Sequence, residues 1–187
     1  MTKQHSIILI NGSMNEHSLT KKLLQNIADK LKNQANVSII DVRELQLPVY
    51  DPGMEPPDAV LKLSKELKNA DGVIAASPEY HGSFTGSMKN LLDFFGAQEF
   101  EQKPIGLATV TGGMKSGTNT LNHLRLVFRN LHGNVIPAQF AISQKETTAS
   151  LKLDEETDLR LVKFVQSFED EVTKQHLFNE HRRTEPS

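Results

Sequence analysis

The sequence predicts an α/β fold in which helices cover both faces of one five-stranded parallel sheet. Two observations lead to this prediction: five short runs are rich in apolar and β-branched residues, and amphipathic stretches separate them. Because strands joined through a helix run parallel with right-handed crossovers, the alternation gives a doubly wound sheet. The five runs are residues 6–10, 37–42, 72–77, 105–110 and 135–142.

The first and third runs are nearly continuous in apolar or small residues, which is typical of central strands covered on both faces. Between and after the runs, apolar residues recur every three or four positions, as on the buried face of a helix. We expect Gly133 to end the fourth helix in the left-handed conformation. The five stripes are Leu19, Leu23, Ile27 and Leu31; Val60, Leu63 and Leu67; Met88, Leu91, Leu92 and Phe95; Leu121, Leu124, Phe128 and Leu131; and Leu159, Val162, Val165 and Val172.

The length of the chain favours a single domain. A chain of 187 residues, of which 37% are hydrophobic and 24% charged, has the size of one compact unit with one core. We expect this domain to cover residues 1–176. The polar segment that follows, residues 177–187, is predicted to be a loose and mobile tail.

Composition excludes several classes of function. A formal net charge of -2, with scattered Lys and Arg, gives no surface suited to nucleic acid or to an anionic membrane. The absence of cysteine rules out disulfides, iron–sulfur clusters, thiolate metal sites and a cysteine nucleophile. No run approaches the roughly 20 apolar residues of a membrane span, so we expect a soluble cytoplasmic protein. Any redox chemistry must then come from a bound cofactor.

Motifs for several other chemistries are missing. The chain contains no P-loop motif, no G-x-G-x-x-G after the first strand and no G-x-S-x-G nucleophile motif. A metal site is not expected, because no pair of histidines combines helical ligand spacing with a carboxylate partner. The histidines are His5, His17, His81, His123, His132, His176 and His181.

The loop after the first strand, residues 11–18, is rich in hydroxyl and amide side chains and leads directly into a helix. In a sheet of order 2-1-3-4-5, the ligand crevice lies between strands 1 and 3, where this loop is located. Backbone N–H groups and the positive end of the helix dipole would suit a mononucleotide phosphate there, with Ser13, Asn15, Ser18 and Thr20 as further donors. Ordinary helix capping is the alternative interpretation.

Two further loops are expected on the same rim. In residues 78–83, a rigid Pro78 and a flexible Gly82 flank Tyr80 and His81, so that backbone groups could pair with the edge of a heterocycle while a ring packs on its face. An ordinary turn histidine explains His81 equally well. Residues 109–117 are rich in glycine, which allows backbone to approach a ligand closely but is also found in flexible connections.

These motifs resemble the NADPH-dependent FMN reductase family, whose flavodoxin-like members include azoreductases, quinone reductases and chromate reductases. The resemblance implies the flavodoxin strand order 2-1-3-4-5, bound FMN, and NADPH or NADH as co-substrate. It extends from about residue 6 to residue 142. Its markers are Gly12-Ser13 with Ser18, Leu47-Pro-Val-Tyr-Asp51, Pro78-Glu-Tyr-His81 with Lys89-Asn90, and Thr111-Gly-Gly113.

The resemblance also implies which residues contact FMN. The first loop and the helix start would hold the phosphate, the second loop the isoalloxazine ring, and the third loop the pyrimidine edge. Asn15 stands where the family often has Arg, so weaker FMN binding is expected; Thr85 stands where many relatives have Pro. The cofactor-binding residues are Ser13, Asn15, Ser18, Leu19 and Thr20; Pro78, Glu79, Tyr80, His81 and Gly82; and Thr111, Gly112 and Gly113.

The function implied is a reductase in which hydride passes from NADPH to FMN and then to a quinone, azo compound, metal oxyanion or free flavin. No catalytic side chain is expected, because the flavin carries the chemistry. A non-catalytic electron carrier or redox sensor is the alternative. Lys115 and Arg125 are candidates for the extra phosphate of NADPH. A homodimer or dimer of dimers is expected, with Phe94, Phe95 and Phe100 as candidate contacts; the alternative is that these residues belong to the core.

Overall fold

The computed structural model describes residues 4–113 and 117–184 and contains a five-stranded sheet of order β2-β1-β3-β4-β5. Each neighbouring pair of its strands is parallel. The predicted doubly wound sheet and its strand order are therefore confirmed. The strands are β1 (His5–Asn11), β2 (Ala35–Asp41), β3 (Gly72–Pro78), β4 (Pro104–Thr111) and β5 (Asn134–Ser143).

Helices connect all of these strands and follow the last one. The sequence pattern did not predict α2 and α5, because a helix of four residues is too short to produce an apolar stripe. A 3-10 turn, Gln144–Glu146, follows β5. The helices are α1 (Leu19–Leu31), α2 (Val42–Leu45), α3 (Asp58–Asn69), α4 (Gly86–Asp93), α5 (Ala97–Phe100), α6 (Thr118–Asn130) and α7 (Glu155–Thr184).

The sheet separates two apolar layers. Side chains alternate along each strand, so Ile7 and Leu9 on β1 face α1 and α7, whereas Ile8 and Ile10 face α3, α4 and α6. Both layers are closely packed, as expected for a parallel sheet covered on two sides. Phe95 and Phe100 belong to the second layer, so these two predicted dimer contacts are core residues.

The buried face of α7 differs from the predicted stripe. Leu159 and Val162 are exposed, at 54% and 42%. The helix instead lies close to the start of β3, where a Cβ at Gly72 would come within 2.7 Å of Phe168 Cζ. Because Gly72 has no side chain, the aromatic side chains of α7 can pack directly against the sheet. The residues of α7 that are buried there are Leu161, Phe164, Val165, Phe168 and Val172.

The chain after His176 also differs from the prediction of a loose tail, because α7 continues through Thr184. Polar pairs one turn apart support this segment: Gln175 Nε2 donates to Asn179 Oδ1 at 3.0 Å. The Arg182 guanidinium lies 5.7 Å from the centre of the Phe178 ring. Within the described ranges, no helix has both the length and the hydropathy that a membrane span requires.

The end of α6 corrects one further expectation. The residue in the left-handed conformation is His132, with a φ of 63°, rather than Gly133. Glycine is needed at position 133 for space, because a Cβ there would lie 2.8 Å from Ile105 Cγ1.

Candidate functional site

A small cleft lies at the carboxyl edge of the sheet, between the loops that follow β1 and β3. This is the point where the strand order reverses, at which ligands of doubly wound sheets bind. The cleft has a volume of about 50 Å³, and it brings the predicted phosphate loop and the predicted ring loop together. Its lining consists of Ser13, Asn15, Ser18, Leu19, Thr20, Pro78, Tyr80, Val110 and Gln144.

The first loop is held by its own side chains. Ser13 Oγ accepts a hydrogen bond from the Asn15 N–H at 3.2 Å, and Ser18 Oγ accepts one from the Lys21 N–H at 3.0 Å, capping α1. A hydroxyl that accepts a bond still carries its own proton, so both serines can donate to an anion as well. Thr20 is buried, and its hydroxyl has no hydrogen bond among the described residues.

A lysine and two carboxylates lie close to this loop. Asp41 lies behind the loop and accepts a bond from Asn11 Nδ2 at 3.2 Å. Lys21 Nζ lies 2.8 Å from Asp41 and 2.9 Å from Glu44, and these hydrogen bonds raise the pKa of Lys21. The lysine thus offsets part of the negative charge that would otherwise repel an anion at the start of α1.

The described lining of the cleft contains no lysine or arginine. An anion bound there must therefore rely on hydroxyls, on amides and on the first turn of α1, which contains no acidic residue.

The second loop is a tight turn with a flat ring at its surface. Tyr80 and Ser83 exchange two backbone hydrogen bonds, of 2.9 and 3.1 Å, around His81 and Gly82. Both central residues have positive φ, 53° for His81 and 76° for Gly82. The left-handed conformation at His81 costs roughly 1 kcal/mol, as it does for most residues other than glycine. Tyr80 lines the cleft and is 51% exposed, whereas the exposed His81 is not part of its lining.

The side chain of Glu79 bridges two loops and makes its contacts on the α6 side of the rim. Its Oε2 accepts hydrogen bonds from the Gly117 N–H at 2.8 Å and from Thr120 Oγ1 at 2.9 Å. Gly117 has a φ of 109°, which glycine adopts most readily. The predicted ring contact at Glu79 would have to come from its backbone, because its carboxylate connects the loop after β3 to the start of α6.

The third loop continues the rim beyond the cleft. Thr111 is buried and its Oγ1 donates to the Gly113 carbonyl at 2.9 Å, while the space around Gly112 is open. These residues follow Val110, which does line the cleft. The predicted contact at Lys115 lies outside the described residues. Arg125 does not point to the rim: its Nη1 donates to the β5 carbonyls of residues 135 and 136, at 3.3 and 3.0 Å.

The family model for the NADPH-dependent FMN reductases matches residues 5–147. The chain belongs to this family. The predicted family, enzyme class and cofactors, FMN with NADPH, are thereby confirmed.

Among its relatives, the chain is 33% identical to the NADPH azoreductase of Bacillus sp. strain OY1-2 over 73% of this chain and 75% of that protein. It is 35% identical to the FMN-dependent NADPH-azoreductase of Staphylococcus aureus strain USA300, over 72% and 74% of the two chains. The structure also resembles FerB, an NAD(P)H:(acceptor) oxidoreductase from Paracoccus denitrificans, with a TM-score of 0.79. That likeness covers 91% of this chain and 98% of FerB at 22% identity, and it supports the fold.

Thr85, where many family members have proline, is held by hydrogen bonds of both its N–H and its hydroxyl. Its N–H donates to Ser77 Oγ at 3.0 Å, and its Oγ1 accepts from the Met88 N–H at 3.1 Å, capping α4. The same hydroxyl donates to the Gly12 carbonyl at 2.6 Å, where Ser87 Oγ also donates, at 2.9 Å. Thr85 therefore fixes the loop after β1 to α4, a role that proline could not perform.

Two of the family markers form one unit. Asn90 Oδ1 accepts from the Tyr50 N–H and its Nδ2 donates to the Pro48 carbonyl, both at 2.8 Å. This holds Val49 out into solvent, at 86% exposure. Sequence reasoning did not find Gln144, which lies in the cleft directly after β5; its position at the carboxyl end of a strand was the available signal.

Proposed function

We propose that this chain holds FMN at the carboxyl edge of the sheet and passes hydride from NADPH to a small-molecule acceptor through it. The observation that carries the proposal is the cleft between the loops after β1 and β3, with its hydroxyls at the start of α1. Its position, its donors and the membership in the FMN reductase family support the same cofactor.

The phosphate would occupy the cleft itself. A volume of about 50 Å³ suits a phosphate-sized group rather than a whole nucleotide, for which pockets are several times larger. The donors would be the hydroxyls of Ser13, Ser18 and Thr20, the amide of Asn15 and the first backbone N–H groups of α1. The unbonded Thr20 hydroxyl inside this cleft supports the fit.

The flavin ring would then lie on the open rim, where Pro78, Tyr80 and Gly82 present backbone and a flat ring. Residues 111–113 would contact its pyrimidine edge. Bound flavin supplies a group that accepts a hydride from reduced nicotinamide and returns it to an oxidised substrate. The protein's part is to orient the two reactants on one face of the ring and to limit access of water.

The acceptor that we propose first is an azo compound, because both relatives named above are azoreductases. Quinones, metal oxyanions and free flavin are the other candidates. We also propose a homodimer, for which the exposed apolar side chains of Val49 and Tyr50 are candidate contacts. Light scattering of the FMN-loaded protein tests the dimer, and a monomer would contradict it. A cytoplasmic location stays a prediction.

An anaerobic visible spectrum of the FMN-loaded protein, taken before and after NADPH is added, tests the proposal. We expect the flavin band to bleach much faster than it does for free FMN, and to return when an azo dye is added. Bound flavin that does not bleach would favour the carrier or sensor. A protein that binds no FMN would contradict the proposal, and repeating the measurement with NADH gives the coenzyme preference.

A further inference from the structure

Three metal-ligating side chains meet at the amino edge of the sheet, opposite the flavin site. His5 begins β1, Asp71 directly precedes β3, and His176 lies on α7. One ligand atom from each of them lies within 4.8 Å of the other two. All three side chains are half-buried, and they lie beside a cavity of about 360 Å³ that Asp71 and His176 help to line.

The distance between His5 and Asp71 does not correspond to an ordinary hydrogen bond. His5 Nδ1 and Asp71 Oδ2 are 3.8 Å apart, which is too long for a hydrogen bond. A tetrahedral zinc ion with bonds of about 2.1 Å holds its nitrogen and oxygen ligands about 3.4 Å apart. Small rotations of the side chains would therefore close the group around one ion. The two imidazole rings already stand edge to face, with centres 5.2 Å apart.

We propose that His5, Asp71 and His176 form a binding site for a divalent transition metal such as zinc. Two imidazoles and one carboxylate form a donor set that binds such ions in preference to calcium or magnesium. Glu180 is a fourth candidate ligand, because its Oε1 lies 3.3 Å from His176 Nε2, one helical turn along α7.

The surroundings of this group favour a cation. Asp71 is held in place, since its Oδ2 accepts a hydrogen bond from the Ser6 N–H at 2.8 Å. The adjoining cavity is lined by three carboxylates and two lysines, so its formal charge is negative. One of the lysines, Lys103, donates to the Ala70 carbonyl at 2.6 Å.

The location gives the metal a structural role. The seven residues of β1 separate the group from the flavin rim by about 20 Å at 3.3 Å per residue, so the ion would not touch the reacting atoms. Its ligands come from β1, from the start of β3 and from α7. A bound ion would therefore fasten the long C-terminal helix to the sheet.

Calorimetric titration of untagged, EDTA-treated protein with zinc chloride tests the proposal, with and without FMN. We expect one zinc ion per chain and a rise in the thermal midpoint, since a ligand that binds only the folded state stabilises it. His5→Ala, His176→Ala and Asp71→Asn should each weaken zinc binding at least tenfold, while FMN affinity stays unchanged. His181→Ala, in an exposed position further along α7, is the matched control and should keep wild-type zinc affinity.

The absence of saturable zinc binding at one ion per chain would contradict the site. So would equal affinity in the wild type and in the His5→Ala and His176→Ala variants, which would locate the zinc elsewhere. Circular dichroism of each variant shows whether its fold is kept. If His176→Ala unfolds, the half-exposed position of His5 makes His5→Ala the deciding variant.

Discussion

At the carboxyl edge of the sheet, the residues that line the cleft come mostly from short contiguous loops, whereas at the amino edge the clustered side chains come from three distant segments. The carboxyl edge is organised by hydrogen bonds between loops, through Thr85 and Glu79. The amino edge is held by apolar packing of α7, with charged and imidazole groups around it. The cleft at the carboxyl edge is therefore fixed by its own loops, whereas the amino edge depends on the position of one long helix.

The two edges also differ in which polar group lacks a hydrogen bond. Ser13, Ser18 and Thr85 all make hydrogen bonds at the carboxyl edge, and the neutral Thr20 hydroxyl, which makes none within the described part of the chain, lines the cleft. At the amino edge, Glu169 Oε1 is buried and has no hydrogen-bond partner among the described residues. Such a group lowers the stability of the folded state. The variants below test whether cofactor binding depends on the carboxyl edge alone.

The largest effect is expected for Gly12→Ala, at the carboxyl edge. A Cβ at this position would lie 3.0 Å from Met88 Cβ and 3.3 Å from the Ala76 carbonyl, which move only with their helix and strand, and 2.8 Å from the flexible Met88 Cε. Because overpacking forces neighbouring atoms to move, we expect the free energy of unfolding to fall by about 2 to 3 kcal/mol. FMN affinity should fall as well, since the phosphate loop shifts. Urea unfolding and a flavin fluorescence titration measure the two effects.

Gly86→Ala is the control for this variant, because nothing lies within 4 Å of a Cβ at Gly86, in the first turn of α4. It should change stability by less than about 1 kcal/mol, in the favourable direction. Equal losses of stability in the two variants would mean that the contact with Met88 does not explain the loss in Gly12→Ala.

Glu79→Ala should have the next largest effect, because it removes the bridge between the second loop and α6. The Gly117 N–H and the Thr120 hydroxyl lose their common acceptor, and the loop after β3 is no longer fixed. We expect FMN affinity to fall about tenfold, equivalent to about 1.4 kcal/mol. Flavin fluorescence titration measures it. Glu101→Ala, an exposed acid at the amino edge, is the control and should leave affinity unchanged.

A loss of stability in Glu79→Ala with unchanged FMN affinity would mean that the bridge supports the fold and not the cofactor. That result would weaken the contrast between the two edges, because the polar contacts at both edges would then serve only to stabilise the fold.

The helices and strands of the sheet were predictable because their patterns are local and periodic. The roles of Thr85 and Glu79 were not, since their partners lie 73 and 38 or 41 positions away in the sequence. The predicted buried stripe of α7 was partly wrong, because two series of apolar residues run along this helix. The contact of Phe168 with Gly72 shows which series faces the sheet. The cluster of His5, Asp71 and His176 was not predicted, because its three residues lie on separate elements that only the fold brings together.

Asn15→Arg tests the electrostatics of the carboxyl edge and should have a smaller effect of the opposite sign. The described lining of the cleft has no basic side chain, so a guanidinium would add a charged donor to the phosphate. We expect FMN affinity to rise about fivefold at low salt, and less at high salt because of screening. Asn33→Arg adds the same charge in an exposed turn at the amino edge and should have no effect. Unchanged affinity in Asn15→Arg would show that the missing family arginine is not what limits binding.

Glu169→Gln should have the smallest effect, confined to the amino edge. Burial, with a smaller contribution from Asp170, raises the pKa of Glu169 above its usual value of 4.5. Because the pKa of Glu169 is higher in the folded protein than in the unfolded chain, the protonated side chain does not destabilise the fold below pH 4.5. The free energy of unfolding falls as the pH rises through the pKa that Glu169 has in the folded protein. The free energy of unfolding of the variant should therefore equal that of the wild type near pH 4 and exceed it by about 0.5 kcal/mol at pH 7 to 8, since partial exposure of Glu169 moderates the cost.

Urea unfolding across this pH range measures the difference, and Glu171→Gln is the control on the same helix. An advantage that does not grow with pH would mean that the charge of Glu169 is not the destabilising feature, and FMN affinity should be the same in all three proteins.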